Sequence, residues 1–296
     1  TRSSRRSINE AQSPVSDEFD ISVIVATYNE EQFIERCLRS IMASTFGAEQ
    51  MEVLVVDGGS CDRTRDIVER LAEEFPSICL LDNPRRVAPT AFNIGIRAAR
   101  APAICILGAH SYVDPDYFEV ALRKLDETGA DAVGGAMETL AGADTLQGRL
   151  VMAATTSRFG VGGSPFRTAR PEGYVDTVVF GVYRRDVCER VGLFDERLVR
   201  NQNSELNARL RAQGGKAYLV PSIRSHYYNR PSLQRLIRQN YRNGLYGILT
   251  WRVNPDSLTM RHMVPLGFVV FLLTGAVAFW LPVVRWLWAA LLAVYA

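Results

Sequence analysis

Three short polar stretches hold the residue types from which a small-molecule site can be built: Thr27-Tyr28-Asn29-Glu30, Asp57-Gly58-Gly59-Ser60-Cys61-Asp62-Arg63-Thr64, and Gly108-Ala109-His110. A carboxylate such as Asp57 accepts hydrogen bonds from a nucleobase or ribose, and the glycines beside it let a ligand approach the main chain. Asp62 reads first as the N-cap of the helix that follows, with a catalytic role as the alternative. His110 can bond a neighbour in the core or ligate a borderline transition metal. No G-x-G-x-x-G or G-x-x-x-x-G-K-[ST] sequence follows these points, which argues against a dinucleotide dehydrogenase and a P-loop NTPase.

Each polar stretch follows an apolar run of strand length. Ile21–Ala26 leads into a helical pattern through Phe33, Ile34, Cys37, Leu38 and Ile41. The rhythm repeats with Met51–Val56 then Asp62–Phe75, Ile78–Leu81 then Pro89–Ala99, and Ala103–Leu107 then Pro115–Thr128. Apolar strands interleaved with amphipathic helices predict an α/β domain with a mainly parallel, Rossmann-like sheet covered on both faces. Ligands of such sheets gather at the carboxyl ends of the strands, where the three polar stretches lie.

The chain has 296 residues, 47% hydrophobic and 22% charged, enough for a large buried core. Its 34 basic and 32 acidic residues leave a formal charge of +2, so no global field points to nucleic acid as a partner. Five scattered cysteines (Cys37, Cys61, Cys79, Cys105, Cys188) form no CxxC or Cys/His pattern and read as reduced thiols. Residues 1–20 are Ser-, Arg- and Glu-rich and read as a flexible arm with no signal peptide.

The other end is apolar. Val264–Val284 is an uncharged run of about 21 residues, long enough for a helix to cross a hydrocarbon core. The apolar residues 286–296 that follow Arg285 imply a second segment that continues past the end of this sequence. Arg235, Arg238, Arg242, Arg252 and Arg261 flank the span and place the preceding domain on the cytoplasmic side. Ser232–Trp251 mixes Leu, Ile, Tyr and Trp with Arg at helical intervals, either an interfacial amphipathic helix or an ordinary surface helix.

Several stretches together carry a resemblance. SVIVATYNEE, VVDGGSCDRT and QNYR resemble recurring motifs of the family 2 glycosyltransferases with the GT-A fold. RFGVGGSPFR, VDTVVFGVYRRDVCERVGLFDE and RNQNSELNARLRAQGGK are similar to the succinoglycan-synthesis glucosyltransferase subgroup. The resemblance implies an inverting transfer from a UDP-sugar, glucose favoured, to a polyprenyl-linked or polysaccharide acceptor at the cytoplasmic face of a bacterial inner membrane. It implies a GT-A domain over residues 21–230, interface helices over 231–262 and transmembrane segments over 263–296. Two alternatives share the fold: a non-catalytic nucleotide-sugar-binding scaffold and a polyprenyl-phosphate sugar transferase.

Carried over by position, the resemblance puts Ala26, Thr27, Asn29 and Glu30 beside the nucleotide, Asp57 on the uracil, and Gly58 and Ala109 in the same binding set. The triplet expected to hold a divalent cation is here Gly108-Ala109-His110, without its leading carboxylate. His110 is the candidate ligand, suited to Mn²⁺ better than to Mg²⁺. Inversion needs a general base. The expected position holds Asn203, and a carboxamide takes no proton at neutral pH. Glu205 and Asp176 are the substitute candidates, with a helix-surface role open for Glu205. Arg85, with Arg86, either neutralises diphosphate or is a solvated loop pair. Arg242 touches either pyrophosphate or lipid phosphates.

Overall fold

A computed structural model describes residues 19–157, 164–167, 170–257, 267, 269–274, 285–287 and 289–290. The first half alternates strand and helix as the pattern predicts: β1 (Ile21–Thr27), α1 (Ile34–Met42), β2 (Met51–Asp57), α2 (Thr64–Glu74), β3 (Ile78–Asp82), α3 (Ala88–Ala98) and β4 (Ala103–Gly108). Then come β5 (Ser111–Val113), α4 (Tyr117–Thr128), β6 (Ala132–Leu140), α5 (Leu146–Thr156), β7 (Gly173–Val175) and β8 (Val182–Arg184). The last elements are α6 (Arg185–Val191), α7 (Gln202–Ala212), β9 (Ala217–Tyr228) and α8 (Leu233–Val253).

Strands β3-β2-β1-β4 are parallel, in register from Ile21 opposite Met51 and Ala103 to Thr27 opposite Asp57. Beyond β4 the sheet is mixed, continuing β8-β6-β9-β5 with β7 against the start of β9. β8 is antiparallel to both neighbours, β6 and β9 are parallel, and β5 is antiparallel to β9. The sheet is mainly parallel, as expected, with the antiparallel pairings confined to the short β5, β7 and β8. The short β5, β7 and β8 lack the long apolar runs that made β1 to β4 readable.

The strand period of two divides the core. Ile21, Val23 and Val25 face Ile34, Leu38 and Ile41 of α1, Val68 and Leu71 of α2, and Tyr117 and Phe118 of α4. Ile24, Leu54 and Val56 face Ala91, Phe92 and Ile96 of α3, Val187 of α6, and Leu206 and Leu210 of α7. Gly95 permits α3 to lie this close: a Cβ there would stand 2.4 Å from Ile24 Cγ2. Burial on both faces fixes the register, so the loops after β1, β2 and β4 must end side by side.

α8 follows the sheet as one helix of 21 residues. Leu233, Ile237, Tyr241, Leu245, Ile248 and Trp251 form an exposed apolar stripe along it at intervals of three and four. The expected arm and most of the expected spanning segments lie outside the described residues. Among the described residues no helix is long and apolar enough to cross a membrane.

Candidate functional site

The carboxyl ends of β1, β2 and β4 meet. Gly58 N–H donates to the Thr27 carbonyl at 2.9 Å, and Ala109 N–H donates to the Ala26 carbonyl at 3.3 Å. Asn29 stitches the first two loops: its N–H donates to Ser60 Oγ at 2.8 Å, and its Oδ1 accepts from Cys61 N–H at 2.9 Å. Asn29 does this from a left-handed conformation, φ 54°, which asparagine tolerates better than most residues. Glu30 N–H donates to Thr64 Oγ1 at 2.8 Å, and Glu30 Oε1 lies 3.1 Å from His110 Nδ1. The structure thus brings Ala26, Thr27, Asn29, Glu30, Asp57, Gly58, Ala109 and His110 to one end of the sheet.

Their roles differ from the simplest expectation. Asp57 is fully buried, and its carboxylate accepts from Gly59 N–H (2.9 Å), Ser60 N–H (3.0 Å), Ser60 Oγ (2.5 Å) and Arg65 (2.9 Å). Such a carboxylate clamps the glycine turn and offers no accessible oxygen to a uracil, which redirects the expected base contact to the groups that the turn displays. Arg65 also pairs with Asp82 at 2.8 Å. Burial lowers the Arg65 pKa, and the two carboxylates outweigh it, leaving the guanidinium more firmly charged. Gly58 is pinned between the Tyr28 ring and the Arg86 main chain, since a Cβ there would meet them at 3.3 and 3.5 Å. Thr27 Oγ1 is buried and has no hydrogen-bond partner among the described residues. Asp62 takes the helix-starting role. Partial burial pushes its carboxyl up, and bonds from Thr64 Oγ1, Thr64 N–H and Glu31 N–H outweigh this and lower it.

Three expected chemical roles are not placed. Glu205 is 3% exposed and holds Arg209 in a bidentate pair, both contacts 2.8 Å. Arg209 in turn donates to the carbonyls of Val191, Gly192 and Leu193, so the pair ties α7 to the turn after α6. A buried, paired carboxylate of this kind holds structure and is not poised as a base. Asp176 follows β7, which pairs with the start of β9. Tyr227 beside His110 is at the other end of residues 217–227, a strand length on the order of 30 Å. Arg85 is ion-paired with Glu196, which also accepts from Asn93 at 3.0 Å. That network fastens the loop after β3 to the segment after α6. Asn203 is exposed at the start of α7, and Arg242 is exposed on α8.

Among the described residues no cation cage forms around His110. Its ring meets one carboxylate, Glu30, and packs edge-on against Tyr227 at 5.1 Å. Among the described residues no group of three or more His, Cys, Asp or Glu side chains could hold a metal. One imidazole and one carboxylate do not make the oxygen-rich shell that Mg²⁺ requires, so no step of the chemistry below runs through a metal.

Residues that the motifs did not single out complete the end of the sheet. Arg65 clamps Asp57; its signal was a basic side chain in the first turn of a helix, where the dipole disfavours it. Tyr227, at the end of β9, lines a cavity of about 320 Å³ with Thr155, Arg167, Asn229, Gln239 and Asn243. Nothing local in the sequence marks that convergence, because its parts, from Ala154 to Asn243, are up to 89 positions apart (243 − 154).

The fold and the converging strand-end loops define an α/β protein with the GT-A arrangement. Glycosyl transferase family 2 matches residues 22–192, more than half of the chain and all three strand-end loops. The chain belongs to glycosyltransferase family 2 and is an enzyme of that class. It is 30% identical over 262 residues to the dolichyl N-acetyl-alpha-D-glucosaminyl phosphate 3-beta-D-2,3-diacetamido-2,3-dideoxy-beta-D-glucuronosyltransferase of Methanococcus voltae, covering 86% of this chain and 80% of that one. It is 30% identical over 276 residues to the succinoglycan biosynthesis protein ExoA of Rhizobium meliloti (strain 1021), covering 90% and 82%. Among solved structures, S. aureus TarS 1–349 in complex with UDP-GlcNAc is similar in fold, with TM-score 0.57 and 18% identity over 72% of this chain and 59% of that one.

Proposed function

We propose that the enzyme transfers a sugar, glucose favoured, with inversion from a UDP-sugar to a lipid-linked or glycan acceptor at the cytoplasmic face of a bacterial inner membrane. The observation that carries the donor half is the convergence of the loops after β1, β2 and β4, stitched by Asn29 to Ser60 Oγ and Cys61 N–H and by Glu30 to His110. In this reading the Asp57–Arg65 clamp shapes the turn, and Tyr28, Asn29 and the Gly58 turn border the nucleotide. Glu30 and His110, hydrogen-bonded at the same strand ends, take the proton of the attacking hydroxyl in place of the buried Glu205. Asn203, exposed at the start of α7, orients that hydroxyl without accepting its proton.

Two features support the membrane half. The exposed stripe of α8 is flanked by Arg235, Arg238 and Arg252, the composition of an interfacial helix. The apolar stretch Val264–Val284 follows the end of α8 after ten intervening residues (254–263). Glycan assembly is the stated role of the two sequence relatives, one acting on a dolichyl-linked sugar phosphate and one in succinoglycan biosynthesis.

The test is transfer by the full chain in native membranes, supplied with labelled UDP-glucose and other UDP-sugars and with lipid-phosphate and lipid-linked saccharide acceptors. Label is expected in the lipid fraction. UDP binding without transfer from any donor would instead favour the non-catalytic binding reading, and a monosaccharide phospholipid as product would identify a polyprenyl-phosphate sugar transferase. Recovery of the protein in the soluble fraction after expression would overturn the membrane assignment.

A further inference from the structure

Some arginines of the described residues are neutralised by carboxylates: Arg39 by Glu35 and Glu74, Arg65 by Asp57 and Asp82, Arg85 by Glu196, Arg100 by Glu52, Arg190 by Asp131, Arg209 by Glu205. Others, such as Arg149, Arg235, Arg238 and Arg252, are exposed and solvated. Arg167, Arg200, Arg230 and Arg242 have no ion-pair partner among the described residues, and they gather in one place. Arg167 lines the cavity between α5, the end of β9 and α8. Arg230 donates to Gln239, another lining side chain. Asn201, next to Arg200, donates to the carbonyl of the lining residue Asn243 at 3.4 Å. Arg200 is half-buried with the cations of Arg230 and Arg242 close by; burial first, then that repulsion, holds its pKa below the usual arginine value. Burial does the same to Arg167. The remaining lining polar groups, from Thr155, Tyr227, Asn229, Gln239, Asn240 and Asn243, are neutral.

Clustered guanidinium groups repel, and their desolvation is unfavourable unless an anion joins them. A planar guanidinium fork matches a phosphate oxygen pair, and a cavity of about 320 Å³ is within the range of small-ligand sites. No lining residue belongs to the loops after β1 or β2. Of its lining residues, Tyr227 packs its ring on His110 at the strand ends. Its α8 lining (Leu236, Gln239, Asn240, Asn243) occupies the helix face about 150° from the exposed stripe of Ile237, Tyr241 and Leu245.

We propose that this arginine-rimmed cavity is a second anion site, separate from the nucleotide end of the cleft, which binds the phosphate or diphosphate group of the acceptor. This rests on the transferase reading above and adds to it a chemical class: the acceptor carries phosphate next to the bilayer. Tyr227 then stands between the two sites, with the acceptor anchored on one side and the donor on the other.

The experiment titrates full-length protein in detergent with inorganic pyrophosphate at saturating UDP, and with farnesyl phosphate as a short lipid phosphate. Wild type is compared with Arg200→Gln, Arg230→Gln and the charge-keeping Arg230→Lys. Both anions are expected to bind wild type and to bind the Gln variants roughly tenfold to hundredfold more weakly, the loss expected for charge-assisted bonds. Arg230→Lys should recover part of that loss, and UDP affinity should change less than about threefold. Without ligand, Arg200→Gln should melt at or above the wild-type temperature, because a repulsion has been removed.

Unchanged anion binding in the Gln variants, or no anion binding by wild type, overturns the site. A parallel fall in UDP affinity overturns the acceptor assignment and gives the cavity to the donor. Ligand-free melting well below wild type in both Gln variants shows that the cations serve structure. Failure of the transferase reading looks different: wild type would not bind UDP at all, whatever pyrophosphate does.

Discussion

Replacing Asp57 separates a clamp from a ligand contact. The carboxylate accepts two main-chain N–H bonds, one hydroxyl bond and one guanidinium bond, all between 2.5 and 3.0 Å, with no exposed surface. Bonds to a charged group contribute about 1.5–3 kcal/mol each, but Gly59, Ser60 and Arg65 are only half-buried and regain water when the carboxylate is removed. Arg65 also keeps Asp82. The expected loss for Asp57→Ala is therefore about 3–5 kcal/mol rather than the sum of four bonds. At roughly 2–4 °C per kcal/mol for a domain of this size, the melting temperature should fall by about 6–20 °C. Asp57→Asn keeps the shape but turns an amide donor towards existing donors, and should lose more than half as much.

The assay pairs thermal unfolding with UDP titration well below the midpoint. Weakened UDP binding is expected in proportion to disorder of the turn, and partly restored by lowering the temperature. A variant Asp57→Asn that melts like wild type yet loses UDP affinity more than tenfold would refute the clamp and return Asp57 to the uracil.

The other predictions concern neighbouring elements. Glu205→Gln breaks a buried ion pair and should destabilise the fold by about 3–5 kcal/mol, with turnover per folded molecule nearly unchanged; wild-type melting with turnover lost more than a hundredfold would make Glu205 the base after all. Cys61 is exposed on the glycine turn, whereas burial pushes the Cys37 and Cys188 thiols up to about 12 and Cys105 higher still. Brief maleimide treatment of native protein should therefore modify Cys61 and leave those three, UDP should slow it, and mass spectrometry showing Cys37 labelled as fast would contradict the packing. Arg197, closely hydrogen-bonded to Asp195, holds that carboxyl below its usual range. The folded value is the lower one, so this stabilisation is complete above the unfolded value near pH 4 and fades as the pH falls below it. Asp195→Asn should flatten the acid limb of the stability curve there, and an identical limb in the variant would count against the pair.

The first half of the fold was legible because β1 to β4 are apolar runs, β1 to β3 each lead directly into a helix, and β4 reaches one after the short β5. The observed limits, Ile21–Thr27 and Met51–Asp57, extend the sequence reading by one residue each. β8, with three residues, sits between β4 and β6 because of tertiary contacts, and no periodicity could announce it. The site shows the same division. Strand-end loops could be named from sequence since their convergence follows from a parallel sheet, but what each side chain bonds to could not. Asp57 faces its own turn and Glu205 faces Arg209, four positions on, a spacing that in hindsight signals a helix pair. The cluster of Arg167, Arg200, Arg230 and Arg242 spans 75 positions (242 − 167) and exists only in three dimensions.

The charge balance of the cleft carries one last consequence. A divalent cation in a sugar-nucleotide site reconciles protein carboxylates with a diphosphate that they would otherwise repel. Here Gly108 stands where a carboxylate is expected, Asn203 stands at a second such position, and Glu205 is neutralised within the fold by Arg209. With less negative charge to bridge, arginines alone can balance bound phosphates, and a guanidinium remains charged at any accessible pH. Sugar transfer should therefore survive EDTA within about threefold and respond steeply to ionic strength, since screening weakens charge contacts at the cleft mouth. Loss of transfer in EDTA, restored by Mn²⁺, together with Mn²⁺ binding that His110→Ala abolishes, would overturn this and assign His110 to a metal.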